Sequence, residues 1–130
     1  MINSAESSDV SRPTIEVEEL IERCLGKIEF AQRVLSKLQT YFGDGLAELE
    51  EEIRAQNVEG AAKVAHRLKG AAANAAAPSL QTHASEIEKI ARSGDLNNID
   101  PHLTQLHQEW DRLNVEIENL DMETFVTCTE

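Results

Sequence analysis

His66, Lys69 and Gly70 are the residues whose types and spacing could do chemistry. They lie in a run from Val58 to Ala77 that reads as one helix of about 30 Å, at ~1.5 Å rise per residue. At roughly 100° per residue, Ala61, Val64, Leu68, Ala71 and Ala75 share one side, the expected core face. His66 points the opposite way, together with Glu59, Ala62, Lys63, Lys69, Gly70 and Ala73. A glycine inside a helix costs about 1 kcal/mol relative to alanine, so Gly70 needs a reason. Helical side chains lean towards the N-terminus, and the one missing at Gly70 would lie over His66. Lys69, three residues on, brings an ammonium within reach of anything attached to the imidazole. No acidic residue occurs from Gly60 to Ser85, whereas Lys63, Arg67 and Lys69 do, in a chain with 24 Asp+Glu against 12 Lys+Arg. A basic island centred on an exposed, nucleophilic imidazole suits a transferred phosphoryl group.

The rest of the chain supplies helices to position this one. Thr14 is expected to cap a short helix with Val17, Leu20, Ile21 and Cys24 on one stripe, ended by Gly26. Ala31, Leu35, Leu38, Phe42, Leu49 and Ile53 then keep one phase across Gly43-Asp44-Gly45, which predicts a single long helix with a local bend. Asn57 is placed to cap the His66 helix, and Pro78 to stop it and open the next. Leu80, Ala84, Ile87 and Ala91 give that next stripe, closed by Gly94. Asp100-Pro101 reads as a cap and first-position proline before Leu103, Leu106, Trp110, Leu113, Ile117 and Leu120, the clearest amphipathic pattern in the chain. The predicted fold is all-α: an antiparallel four-helix bundle over residues 14–120 with a short additional N-terminal helix. Residues 1–13 are read as a disordered leader and residues 121–130 as a tail.

His66-Arg67-Leu68-Lys69-Gly70, preceded by Ala65 and followed by Ala73-Asn74, resembles the signature of histidine-containing phosphotransfer (HPt) domains, His-x-Leu-Lys-Gly. The resemblance runs downstream through Leu80, Ala84, Ile87-Glu88 and Ala91-Arg92-Ser93-Gly94-Asp95, and upstream to about Ile28. Ala71 and Ala72 stand where the family often has serine, and Ala76 where glycine is common. The resemblance implies that His66 accepts a phosphoryl group on Nε2 from a receiver-domain aspartate and passes it to another receiver. It further implies that Lys69 steadies the phosphoryl oxygens and Gly70 gives clearance, with Ala62, Lys63, Arg67 and Ala73 towards the partner. Glu88 sits where the family often has a polar residue; it could orient the imidazole, but it is read here as solvent-facing.

An imidazole in its neutral form has the lone pair such an attack needs. Nothing else in the chain belongs to phosphoryl-transfer machinery: there is no P-loop, no Gly-rich nucleotide loop and no acidic metal cluster in the sequence. A phosphocarrier without ATP-dependent kinase activity is therefore expected, with no cofactor of its own and Mg²⁺ on the partner, the receiver of a response regulator or hybrid kinase. His83, His102 and His107 are read as structural or surface histidines, since no Glu-x-x-His occurs. The net charge of −12 argues against nucleic acid or an anionic membrane. Without a transmembrane run, a signal-peptide core or a CxxC pair, a reduced cytoplasmic monomer is expected. The competing reading is a phosphorylation-independent helical adaptor for receiver or kinase domains. A hydrolase using His66 as general base lacks a nucleophile and oxyanion donors.

Overall fold

The structure, a computed structural model, describes residues 14–120. Among these the chain forms α1 (Val17–Arg23), α2 (Ile28–Arg54), α3 (Val58–Asn74), α4 (Pro78–Arg92), a 3-10 turn (Leu96–Asn98) and α5 (Asp100–Asn119), with no strand. Helices α2 to α5 make the expected bundle, and α1 lies at one end of it. The expectations of a disordered leader and a tail fall on residues 1–13 and 121–130, outside the described residues. No helix among the described residues is long and apolar enough to cross a membrane.

The apolar phases read from sequence build the core. Ala31, Leu35, Leu38, Phe42, Leu46 and Leu49 of α2 are buried, and α2 runs through Gly43-Asp44-Gly45 as one helix of 27 residues. Phe42 stacks on Trp110 of α5 with ring centroids 4.9 Å apart, joining the two helices across the bundle. Leu80, Ala84, Ile87 and Ala91 of α4 and Leu106 and Leu113 of α5 are fully covered. The pair α3 and α4 shares the most extensive helix–helix contact.

Helix ends depart from the sequence reading in four places, each for a local reason. The His66 helix stops at Asn74 rather than Ala77. Ala76 turns left-handed at φ 56, and Ala77 N–H donates to the Ala72 carbonyl at 2.9 Å, satisfying a helix-end acceptor. Pro78 disfavours a helical conformation in the residue before it, and Ala75, Ala76 and Ala77 are all buried, so the chain turns inside the core. Thr14 does not cap α1, whose N-cap is Glu16. Instead Thr14 is fully buried, and its N–H and hydroxyl donate to the Glu116 carboxylate of α5 at 2.8–2.9 Å. Helix α1 ends at Arg23, with Leu25 ahead of Gly26 already left-handed at φ 60. Asp100 is the first residue of α5 and buried Ile99 is its N-cap, one position earlier than expected. Asn57 caps α3 as expected, its side chain accepting from Gly60 N–H at 3.1 Å.

Gly45 shows how closely α2 approaches the His66 helix. A Cβ built there would stand 2.5 Å from Cδ2 of Leu68, itself 1% exposed. Gly70 is the opposite case, with nothing within 4 Å of its Cβ position. The two glycines therefore respond to alanine with opposite signs. Gly70→Ala should gain up to about 1 kcal/mol from helix propensity. Gly45→Ala gains the same amount but overpacks at a cost of about 1–3 kcal/mol, so its thermal midpoint should fall. A midpoint that rises in both variants shows that Leu68 can move aside.

Candidate functional site

Helix α3 is wedged between α2 and α4, so its buried arc is wide: Ala61, Ala62, Val64, Ala65, Leu68 and Ala72 are all covered. That arc is turned roughly 50° towards α4 from the face read off the sequence, at about 100° per residue. Two expectations change as a result. Ala62, assigned to partner contact, is 2% exposed and part of the core. Ala71, assigned to the core, is only half-buried. His66 itself is outside as expected, with 61% of its side chain exposed. Lys63, Arg67 and Gly70 are exposed beside it, and Ala73 is half-buried. The carbonyl of Ala73 accepts a 2.6 Å hydrogen bond from Arg23 of α1.

Glu88 is the main departure from the sequence reading. The residue is buried at 8% exposure, not solvent-facing, and it organises the site. His66 Nδ1 lies 3.1 Å from Glu88 Oε2, and Lys69 Nζ lies 3.0 Å from Glu88 Oε1. Arg92, one turn further along α4, donates from Nε and Nη2 to Oε2 at 2.9 and 2.8 Å. Burial alone would push the Glu88 carboxyl up. The hydrogen bonds from Arg92, Lys69 and His66 and the Lys69 charge outweigh it and hold the carboxyl below its ordinary value. An ionised carboxylate only accepts, so Nδ1 carries the ring proton. That leaves the Nε2 lone pair, on the other edge of an exposed ring, facing outwards.

Two of the three cations of the basic island, Arg67 and Lys69, are therefore matched by carboxylates from neighbouring helices, and Lys63 is not. Lys69 meets Glu88 on the α4 side, and Arg67 donates to Glu48 of α2 at 2.6 Å on the other. That bond to Glu48 raises the Arg67 pKa still further. A groove runs beside Arg67 between α2 and α3. Buried Leu38 and Ala75 and half-buried Val34 and Ala71 form its apolar floor, while Lys37, Tyr41, Arg67 and Gly70 line its exposed edges. The sequence holds a trace of it in a second α2 stripe, Phe30, Val34, Lys37 and Tyr41, set beside the core stripe. Among the described residues no three His, Cys, Asp or Glu side chains come together to hold a metal ion. His107 pairs with Glu50 away from this site, and His83 and His102 are half-buried.

The Hpt domain family model matches residues 16–116, a span that includes His66, Lys69, Gly70, Glu88 and Arg92. No curated protein matches the chain.

The Glu88 geometry carries a sign for the acid response. Its carboxyl titrates lower in the folded chain than its ordinary value of 4.5, so the unfolded chain binds the proton first as pH falls. The stabilisation is complete above the ordinary value and is lost as pH drops through the lower folded one. Glu88→Gln should remove this part of the acid dependence in thermal melts taken from neutral pH down through the carboxylate range. At neutral pH it should cost about 1–2 kcal/mol, because hydrogen bonds to a charged acceptor are worth more than those to an amide. Parallel acid profiles for the two proteins show that Glu88 is not held ionised by its partners.

Proposed function

Because the chain belongs to the Hpt domain family and so has a histidine phosphotransfer role in phosphorelays, we propose that His66 is its phosphoryl carrier. In this reading His66 Nε2 takes the group from a receiver-domain aspartate and hands it to the aspartate of another receiver. The observation that carries the proposal is the anchored ring: Nδ1 is held by Glu88 at 3.1 Å while 61% of the side chain stays exposed. Orientation is thereby fixed without covering the reacting nitrogen.

The step follows from that geometry. The Nε2 lone pair attacks phosphorus in line with the aspartyl oxygen. The new N–P bond forms as the P–O bond breaks, and the carboxylate leaves with the electron pair. No proton has to move, because Nδ1–H stays in place. The ring becomes cationic, and Glu88 stabilises the charge as it develops. Return transfer to a second aspartate runs the same path backwards. The carboxylate near the imidazole, Glu88, is committed to three donors, so Mg²⁺ is assigned to the receiver. Lys69 supplies positive charge on this chain's side, Gly70 leaves room for the acyl phosphate, and Lys63, Arg67 and Ala73 lie towards the partner. The apolar groove floored by Val34, Leu38 and Ala71 supports docking of a receiver surface against α2 and α3. The carrier is proposed to act as a cytoplasmic monomer.

Mixing the protein with phosphorylated receivers should yield acid-labile, alkali-stable label, the stability pattern of phosphohistidine. His66→Gln should abolish it and leave the helical fold intact, at a cost of about 1–2 kcal/mol where the glutamine amide does not replace the Nδ1–H donor to buried Glu88. Label persisting on that variant places the phosphosite elsewhere. Partner-dependent output that survives the loss of the imidazole favours the adaptor reading instead.

Clearance at Gly70 can be separated from stability. Gly70→Gln should hold or gain up to about 1 kcal/mol of stability from helix propensity. Its side chain leans back over His66, so transfer from a receiver should fall while labelling by phosphoramidate, a small donor, suffers less. Parental transfer rates in the glutamine variant remove the clearance argument.

A further inference from the structure

The two cations on Glu88 are not equivalent. Lys69 Nζ makes one contact, to Oε1 at 3.0 Å from α3, on the end of a flexible stem; exposure does not separate the two cations, since Arg92 at 57% is more open than Lys69 at 32%. Arg92 reaches Oε2 through both Nε and Nη2, at 2.9 and 2.8 Å, from the same helix as Glu88 and one turn away. His66 Nδ1 shares Oε2 with Arg92. A phosphoryl group on Nε2 would bring about two negative charges to the face that Lys69 shares with His66, against the single charge of Glu88. The ammonium, a mobile point charge, is the partner free to turn towards it; the planar guanidinium is fixed by two bonds.

Resting on the phosphocarrier reading of His66, we propose that Arg92 is the stationary counter-ion of Glu88, a positioning residue that keeps the carboxylate ionised and His66 Nδ1–H anchored when Lys69 turns to the phosphoryl group. Without Arg92, a Glu88 abandoned by Lys69 would be a buried carboxylate with one remaining donor. Burial then favours the neutral acid. A carboxylic O–H facing Nδ1 stabilises the opposite tautomer, in which Nε2 carries the proton and has no lone pair to give. Arg92 prevents this because its contact lies within α4 and does not depend on where the Lys69 side chain points. The rival role is complementing the C-terminal dipole of α4, where Arg92 occupies the last turn. That role affects melting temperature but not the tautomer of a ring on another helix.

Nitrogen-15 NMR of the histidine rings separates these roles, with His66→Gln identifying the His66 signals. Lys69→Ala imitates the departed lysine in unphosphorylated protein. It should keep the Nδ1–H tautomer, whereas Lys69→Ala combined with Arg92→Gln should shift the population several-fold towards Nε2–H. Arg92→Lys in the same background should restore part of the loss. Loss of Nδ1–H in Lys69→Ala alone, or its full retention in the double variant, overturns the proposal. After labelling with phosphoramidate, Arg92→Gln should pass its phosphoryl group to a receiver several-fold more slowly than the parent at unchanged receiver affinity. An unchanged rate also overturns it. If the parent takes no phosphoryl group on His66, the carrier reading falls, and with it the transfer role of Arg92; the tautomer measurement still decides whether Arg92 alone holds Glu88.

Discussion

Everything at the candidate site depends on one buried carboxylate. Glu88 is 8% exposed, and a charge so placed survives only if hydrogen-bond donors replace the water it has lost. Those donors come from two helices: His66 and Lys69 on α3, and Arg92 on α4 itself. Satisfying the carboxylate therefore fixes three other groups. The imidazole gains an orientation and a tautomer, the ammonium a resting place, and the guanidinium a planar contact one turn along α4. This is also why the most extensive helix contact in the bundle matters for chemistry. The closeness of α3 and α4, given by Ala61, Ala62, Ala65 and Ala72 on one side and Ala84 and Ala91 on the other, brings a carboxylate on one helix under an imidazole on its neighbour.

Small residues serve different purposes on the different sides of α3. Towards the core they let helices approach, and at Gly45 even a methyl group meets Leu68. Towards solvent, Gly70 leaves open space over the imidazole and gives up helix propensity for it. A helix rich in alanine tolerates this because its stability comes from packing on two neighbours rather than from its own side chains. Among the described residues every helix of the bundle sends a large side chain into the core: Phe42 and Leu49 from α2, Leu68 from α3, Leu80 and Ile87 from α4, and Leu106 and Leu113 from α5.

What was legible in the sequence was whatever one helix contains within itself. His66, Lys69 and Gly70 share a face by spacing alone, and Asn57 and Pro78 mark helix starts by their own chemistry. What was not legible depends on a second helix. Glu88 is 22 residues from His66, at the edge of the α4 apolar stripe, where periodicity leaves burial undecided. Ala62 lies on the His66 side by phase, yet α4 covers it, because a helix packed on two sides buries a wider arc than one apolar stripe reveals. The left-handed turns at Leu25, Gln56 and Ala76 gave no glycine signal, being held by helix-end hydrogen bonds, with burial added only at Ala76. Thr14 looked like a cap because threonine often is one; Glu116, far along the chain, claims it instead.

The paired cations bear on what a carrier must do. Read as sequence, the surroundings of His66 are simply basic, which would favour holding a phosphoryl group. In the folded chain Arg67 is matched by Glu48 and Lys69 by Glu88, so a phosphoryl group must compete with carboxylates for these two cations, and of the basic island only Lys63 stands exposed without an ion pair among the described residues. Such competition lowers the affinity of the site for the group once attached. A residue that bound its adduct as strongly as it could would deepen an intermediate and slow the second transfer. In the proposed carrier the matched pairs keep that intermediate shallow. The fixed Nδ1–H···Glu88 bond works the other way: the ring charge it meets is partial in the transition states and full in the phosphorylated imidazole, so it eases attack and also supports the adduct. The same carboxylate thus acts on the adduct in two opposed ways, competing with the phosphoryl group for Lys69 and stabilising the cationic ring through His66, and a group that has to be received and then released needs the two kept in balance.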